Sequence, residues 1–130
     1  MTEILLKRIY DIPAGSDGYR LFIDKLWPRG MTKEQISYDE WRKDVAPSAA
    51  LRKWYHQDQL GNQHEFEQRY LLELSNNPGI KTLLETIRKY SVVTLLTAAK
   101  EPGSSYLIVL KKYLETFSRE IQRENRVNLF

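Results

Sequence analysis

The sequence predicts an α/β fold: a single domain over residues 1–130, with a small central sheet covered by several helices and a long C-terminal helix. Three observations carry that reading. Val92-Val93-Thr94-Leu95-Leu96-Thr97-Ala98-Ala99 is a nearly unbroken apolar and β-branched run, the pattern of a strand covered on both faces. Ahead of it, Ile80, Leu83, Leu84, Ile87 and Tyr90 recur at helical spacing. Behind it, Leu107, Leu110, Leu114, Phe117 and Ile121 form a heptad-like stripe, which predicts one long amphipathic helix.

The remaining elements follow in order. Ile4 to Tyr10 is rich in branched and aromatic residues and reads as a first strand, ended by the turn chemistry of Pro13, Gly15, Ser16 and Asp17-Gly18. Tyr19 to Trp27 also fits a helical stripe, but its shortness and the stop at Pro28 favour a second strand. Thr32-Lys33-Glu34-Gln35 and Ser37-Tyr38-Asp39-Glu40 both have capping-box spacing. Only the second precedes a plausible helix, which is expected to bury Trp41 and Val45 and stop before Pro47. Ser48 then caps a short helix through Leu51, Arg52, Trp54 and Tyr55. Phe66, Tyr70 and Leu74 mark a longer helix that the Asn76-Asn77-Pro78-Gly79 cluster ends. Residues Arg123 to Phe130 read as a frayed or partner-bound end.

Composition narrows the function classes. A chain of 130 residues, 42% hydrophobic, suits one domain. Lys and Arg number 20 against 17 Asp and Glu, and this net +3 is spread along the chain, so it permits an anionic partner without requiring one. The absence of cysteine excludes a disulfide framework, thiolate zinc sites and cysteine nucleophiles, and points to a reducing, cytoplasmic setting. No apolar stretch approaches spanning length and Glu3 precedes only a short apolar run, so neither a signal peptide nor a membrane partner is expected.

Ligands of open α/β sheets gather where strands end at their carboxyl termini. Two segments meet that rule: Asp24 to Gly30, leaving the second strand, and Lys100 to Ser105, leaving the buried one. The candidate ligand-binding residues are therefore Arg20, Trp27, Arg29, Lys100, Ser104 and Ser105, and the candidate catalytic residue is Asp24. Arg29 and Lys100 would neutralise an anion, the hydroxyls and N–H groups of Ser104 and Ser105 would cradle it, Trp27 would wall the pocket, and Asp24 would orient or deprotonate a ligand. The same Gly103-Ser104-Ser105 string also satisfies a plain turn and N-cap, and Asp24 also suits a buried ion pair.

The function these residues predict is binding of a small phosphate- or carboxylate-bearing ligand, with enzymatic activity left open. The alternative is a nucleic-acid or regulatory module using Arg52-Lys53-Trp54-Tyr55 with Lys111, Lys112, Arg119 and Arg123. A third reading makes the stripe of the last helix a homodimer seam. His56 and His64 are the only histidines and lie outside any metal-binding motif, and the common nucleotide-binding and hydrolase signatures are missing, so no metal or cofactor is expected.

Several strings are specific enough to name a family. Lys7-Arg8-Ile9-Tyr10-Asp11, Asp17-Gly18-Tyr19-Arg20, Asp24-Lys25-Leu26-Trp27-Pro28-Arg29-Gly30, Ala46-Pro47-Ser48, Leu51-Arg52-Lys53-Trp54-Tyr55 and Val93-Thr94-Leu95-Leu96-Thr97-Ala98-Ala99-Lys100 resemble, in order, the YeaO-like family, small bacterial proteins of a domain-of-unknown-function group. The resemblance implies a single small α/β domain with no assigned reaction or cofactor. The chain departs from the family's usual strings at Ser104-Ser105, where relatives tend to carry His-Asn, and near His56-Gln57-Asp58-Gln59, where they tend to carry Gly-His-Asp-Pro. That departure shifts the expectation from acid–base chemistry toward binding.

Overall fold

The computed structural model describes the backbone of residues 2–128 and the side chains of residues 2–118. Four strands form one parallel sheet: β1 (Glu3–Arg8), β2 (Tyr19–Phe22), β3 (Glu40–Trp41) and β4 (Val92–Thr97), in the spatial order β1-β4-β2-β3. The apolar β4 run is an inner strand, pairing Ile4 with Val93 on one side and Phe22 with Leu96 on the other. Among the described residues four α-helices complete the fold: α1 (Ala49–Gln57), α2 (Gln59–Ser75), α3 (Gly79–Arg88) and α4 (Leu107–Asn128).

The two faces of the sheet are covered differently. Alternate strand residues Leu21, Ile23, Val93 and Leu95 pack against Leu51 of α1, Tyr70 and Leu74 of α2, Leu83 and Ile87 of α3, and Leu110 and Leu114 of α4. The stripe predicted for the last helix is thus buried at Leu107, Leu110 and Leu114 against the chain's own core, while the side chain of Ile121 lies outside the described residues. On the opposite face Phe22 and Leu96 meet Ile9, Ile36, Trp27, Tyr38 and Trp41, so loops and aromatic rings do the covering there. Among the described residues, no helix is long and apolar enough to cross a membrane.

Two sequence expectations need correction. The second strand's ladder ends at Phe22, extended only by the bond from Ile23 N–H to Leu96 O (3.2 Å), and residues 24–27 leave the sheet. No helix begins at Ser37: Asp39 N–H donates to Arg20 O (2.8 Å), Asp39 Oδ2 accepts from Arg20 N–H (2.8 Å), and Arg42 N–H donates to Phe22 O (2.7 Å). The capping-box spacing loses because the open edge of β2 offers the backbone better partners than a local turn. Trp41 then joins the aromatic cluster while Val45 joins the helical one, so the two never share a helix face.

Ser48 does cap α1, its Oγ accepting from Leu51 N–H (3.1 Å), and it is held from behind by Glu73, which accepts from both its N–H (2.9 Å) and its hydroxyl (2.5 Å). This ties the start of α1 to α2 and sets α1 beside the carboxyl end of the sheet.

Candidate functional site

A cavity of about 920 Å³ opens at the carboxyl ends of β2 and β4, bounded by the loop after β2, the turn after β4, and α1, α2 and the start of α4. That volume is within the range of small-molecule sites. Its framework is fixed by one carboxylate. Asp24 Oδ1 accepts from Thr97 Oγ1 (2.7 Å) and from the Tyr106 hydroxyl, and Oδ2 accepts from Ala98 N–H (2.8 Å). The Asp24 carbonyl accepts from Trp41 Nε1 (2.6 Å). One residue therefore fastens the ends of β2, β3 and β4 to the entry of α4.

Tyr106 answers the same carboxylate. Burial, reinforced by the neighbouring Asp24 charge, pushes its phenol well above the ordinary value, so it stays protonated and remains a donor. Its ring stands edge-on to Tyr70, with centroids 5.9 Å apart, and Tyr70 in turn donates to Val45 O (2.7 Å). On the far side, Arg8 Nε donates to Ala99 O (3.1 Å), so the end of β1 braces the turn after β4.

Six of the seven residues singled out by sequence line this cavity: Asp24, Trp27, Arg29, Lys100, Ser104 and Ser105. Arg20 does not. Its buried guanidinium faces Asp17 (2.5 Å) and Ser37 O (2.8 Å) on the loop-covered side of the sheet. Arg20 is a structural cation whose partner is Asp17, which also takes Lys7 Nζ (3.1 Å) and the Ala14 N–H (3.0 Å).

The proposed serine cradle also changes. Ser104 N–H donates to Glu101 O (3.0 Å) and Ser105 N–H to Pro102 O (3.2 Å), closing a short 3₁₀ turn over Pro102–Ser104. The Ser105 hydroxyl donates to Pro102 O (2.6 Å) and accepts from Leu107 N–H (3.2 Å). Both amides and one hydroxyl are engaged in building the turn.

Four cationic side chains, Lys25, Arg29, Arg52 and Lys100, line the cavity alongside the carboxylates of Asp24, Glu67 and Glu101, and among the described residues none of the four forms a salt bridge. Arg52, Tyr55 and His56 reach it together because they stand at i, i+3 and i+4 on α1, a pattern visible in the sequence once that helix is placed. The Arg52-Lys53-Trp54-Tyr55 strip is correspondingly divided: Trp54 lies under the Arg69 guanidinium (4.1 Å), away from the cavity lining. Tyr106 carried no sequence signal, since its role depends on Asp24, 82 positions away. Among the described residues no cluster of histidines and carboxylates has the makings of a metal site. The side chains of Arg119 and Arg123 lie outside the described residues.

Residues 3–128 match the model of the family described as "Inactive DUF488-N3 subclade". The chain belongs to this family. Its relatives include the uncharacterized protein YeaO of Escherichia coli strain K12, 38% identical over 114 residues, covering 88% of this chain and 98% of YeaO. The uncharacterized proteins Rv3073c of Mycobacterium tuberculosis strain H37Rv and Mb3100c of Mycobacterium bovis are each 36% identical over 113 residues, covering 87% of this chain and 94% of theirs. No solved structure matches significantly. The YeaO-like resemblance read from the sequence strings and the family match thus agree over nearly the whole chain.

Proposed function

We propose that this protein binds a small phosphate- or carboxylate-bearing ligand in the cavity at the carboxyl end of its sheet. One observation carries the reading: Lys25, Arg29, Arg52 and Lys100, from three separate segments, line a single cavity without a salt-bridge partner among the described residues. Four cations against the carboxylates of Asp24, Glu67 and Glu101 leave the lining net positive, and an anion would offset that charge. The position agrees with the general rule for parallel sheets.

The reading is binding without acid–base chemistry. A general base needs an accessible lone pair facing its substrate, and the Asp24 carboxylate already accepts three hydrogen bonds from the surrounding frame. The family's description as an inactive subclade supports the same view. A nucleic-acid surface is less well supported, because Trp54 packs beneath Arg69 and is not presented beside Arg52 and Tyr55.

Calorimetric titration with inorganic phosphate tests the proposal. We expect saturable one-site binding at low ionic strength that weakens as salt is added. Absence of binding at low ionic strength contradicts it.

A further inference from the structure

We infer that the anion held in this cavity carries a flat aromatic ring, as a nucleoside or aryl phosphate does; this rests on the anion-binding reading above. The cations account for only part of the cavity lining. Trp27 and Tyr55 line it as well, and both are partly exposed there and held in fixed positions.

Trp27 is restrained at three points. Its Nε1–H donates to Met31 O (2.6 Å), and its ring stands edge-on to Tyr38 (centroids 6.2 Å apart) and to Trp41 (5.6 Å). Tyr55 is backed by Phe66, with centroids 4.3 Å apart. Neither side chain needs to be ordered when a ligand arrives, so the usual entropic cost of fixing an aromatic wall is already met by the fold. Simple inorganic anions need no such walls. Rigid aromatic surfaces beside unpaired guanidinium and ammonium groups match a ligand that presents a π-face and a phosphate together.

The test compares adenosine 5′-monophosphate with ribose 5-phosphate and inorganic phosphate on the full chain by calorimetry. The two sugar phosphates carry similar charge and differ by the ring. The expected result is roughly tenfold or tighter binding of the adenosine compound, the scale of one base–aromatic stack, with quenching of tryptophan fluorescence that ribose 5-phosphate does not cause. Tyr55→Leu should remove most of that gain, bringing the affinities for adenosine 5′-monophosphate and ribose 5-phosphate close together. Trp27→Phe, which keeps a ring, should preserve the adenosine preference and abolish the quench. Equal affinities for the two sugar phosphates overturn the ring inference and leave the anion reading standing. Failure of all three anions to bind overturns both.

Discussion

Tyr106, at the entry to α4, donates its hydroxyl to the carboxylate of Asp24, at the exit from β2, across 82 positions of sequence. The pair closes the cavity's floor. Its energetics are unequal between partners, because Asp24 also accepts from Thr97 Oγ1 and Ala98 N–H. Tyr106→Phe removes one donor to a charged acceptor and should cost about 2 kcal/mol. Asp24→Ala strands three donors and should cost roughly 3 kcal/mol or more. Urea denaturation of the two variants checks the ranking, and equal losses would contradict the view of Asp24 as the shared anchor.

Two glycines with positive φ should respond differently to substitution. Gly18 (φ 64°) lies so close to the sheet that an added Cβ would sit 2.1 Å from Val92 O. Gly30 (φ 75°) has open space around it. Gly30→Ala should therefore cost about 1–2 kcal/mol, the penalty of the backbone conformation alone, whereas Gly18→Ala should exceed it clearly because β4 must shift. Thermal melts of both variants decide this.

The buried Asp17–Arg20 pair predicts an acid limb of stability. Burial alone would raise the Asp17 pKa, but the Ala14 amide, Lys7 and Arg20 together outweigh it and hold the carboxyl below its ordinary 3.8. A depressed folded-state pKa contributes stability that is present above the unfolded value and lost as pH falls through the folded one. Unfolding free energy should thus decline below about pH 4, and Asp17→Asn should make that decline shallower. Arg20→Met, which strips a partner from a buried carboxylate, should cost about 3 kcal/mol at neutral pH.

The alkaline limb has the opposite sign. Burial, with the Glu40 carboxylate accepting its hydrogen bond, raises the Tyr19 phenol from 10.0 to about 12, and burial raises Tyr70 and Tyr106 well above the ordinary value. A raised folded-state pKa contributes stability that is full below the unfolded value and lost as pH climbs through the folded one. Stability should fall as pH rises above about 10. Ultraviolet titration should show a delayed class of tyrosines that includes Tyr19; uniform ionisation of all eight near pH 10 would contradict the packing described.

Much of the fold was legible because local and tertiary signals agreed. The β4 run is buried on both faces, and the helical spacing of Leu83, Leu84 and Ile87 matches a single packed stripe. Legibility failed where a distant edge decided the outcome. Ser37 to Val45 carries a helix-start signal, yet the β2 edge drew Asp39 and Arg42 into strand pairing. The site followed the same division. The strand-end rule points to Asp24, Arg29 and Lys100, which line one cavity, whereas Arg20 lies apart from it, because charge in a strand does not reveal which face or end it serves. Ser104 and Ser105 stayed open between an anion cradle and a plain turn, because a 3₁₀ turn that uses their amides internally cannot be told by sequence from an open helix N-terminus.

The most direct measurement of the central claim compares phosphate affinity in two double variants. Arg29→Ala with Lys100→Ala removes cavity charge, while Lys33→Ala with Lys81→Ala removes equal charge from exposed positions outside the cavity lining. The cavity variant should bind at least about tenfold more weakly than the unmodified protein, as loss of charge-assisted hydrogen bonds dictates, and the control should bind nearly as the unmodified protein does. Equal weakening in both variants would show that phosphate responds to net charge alone and would contradict a built anion site.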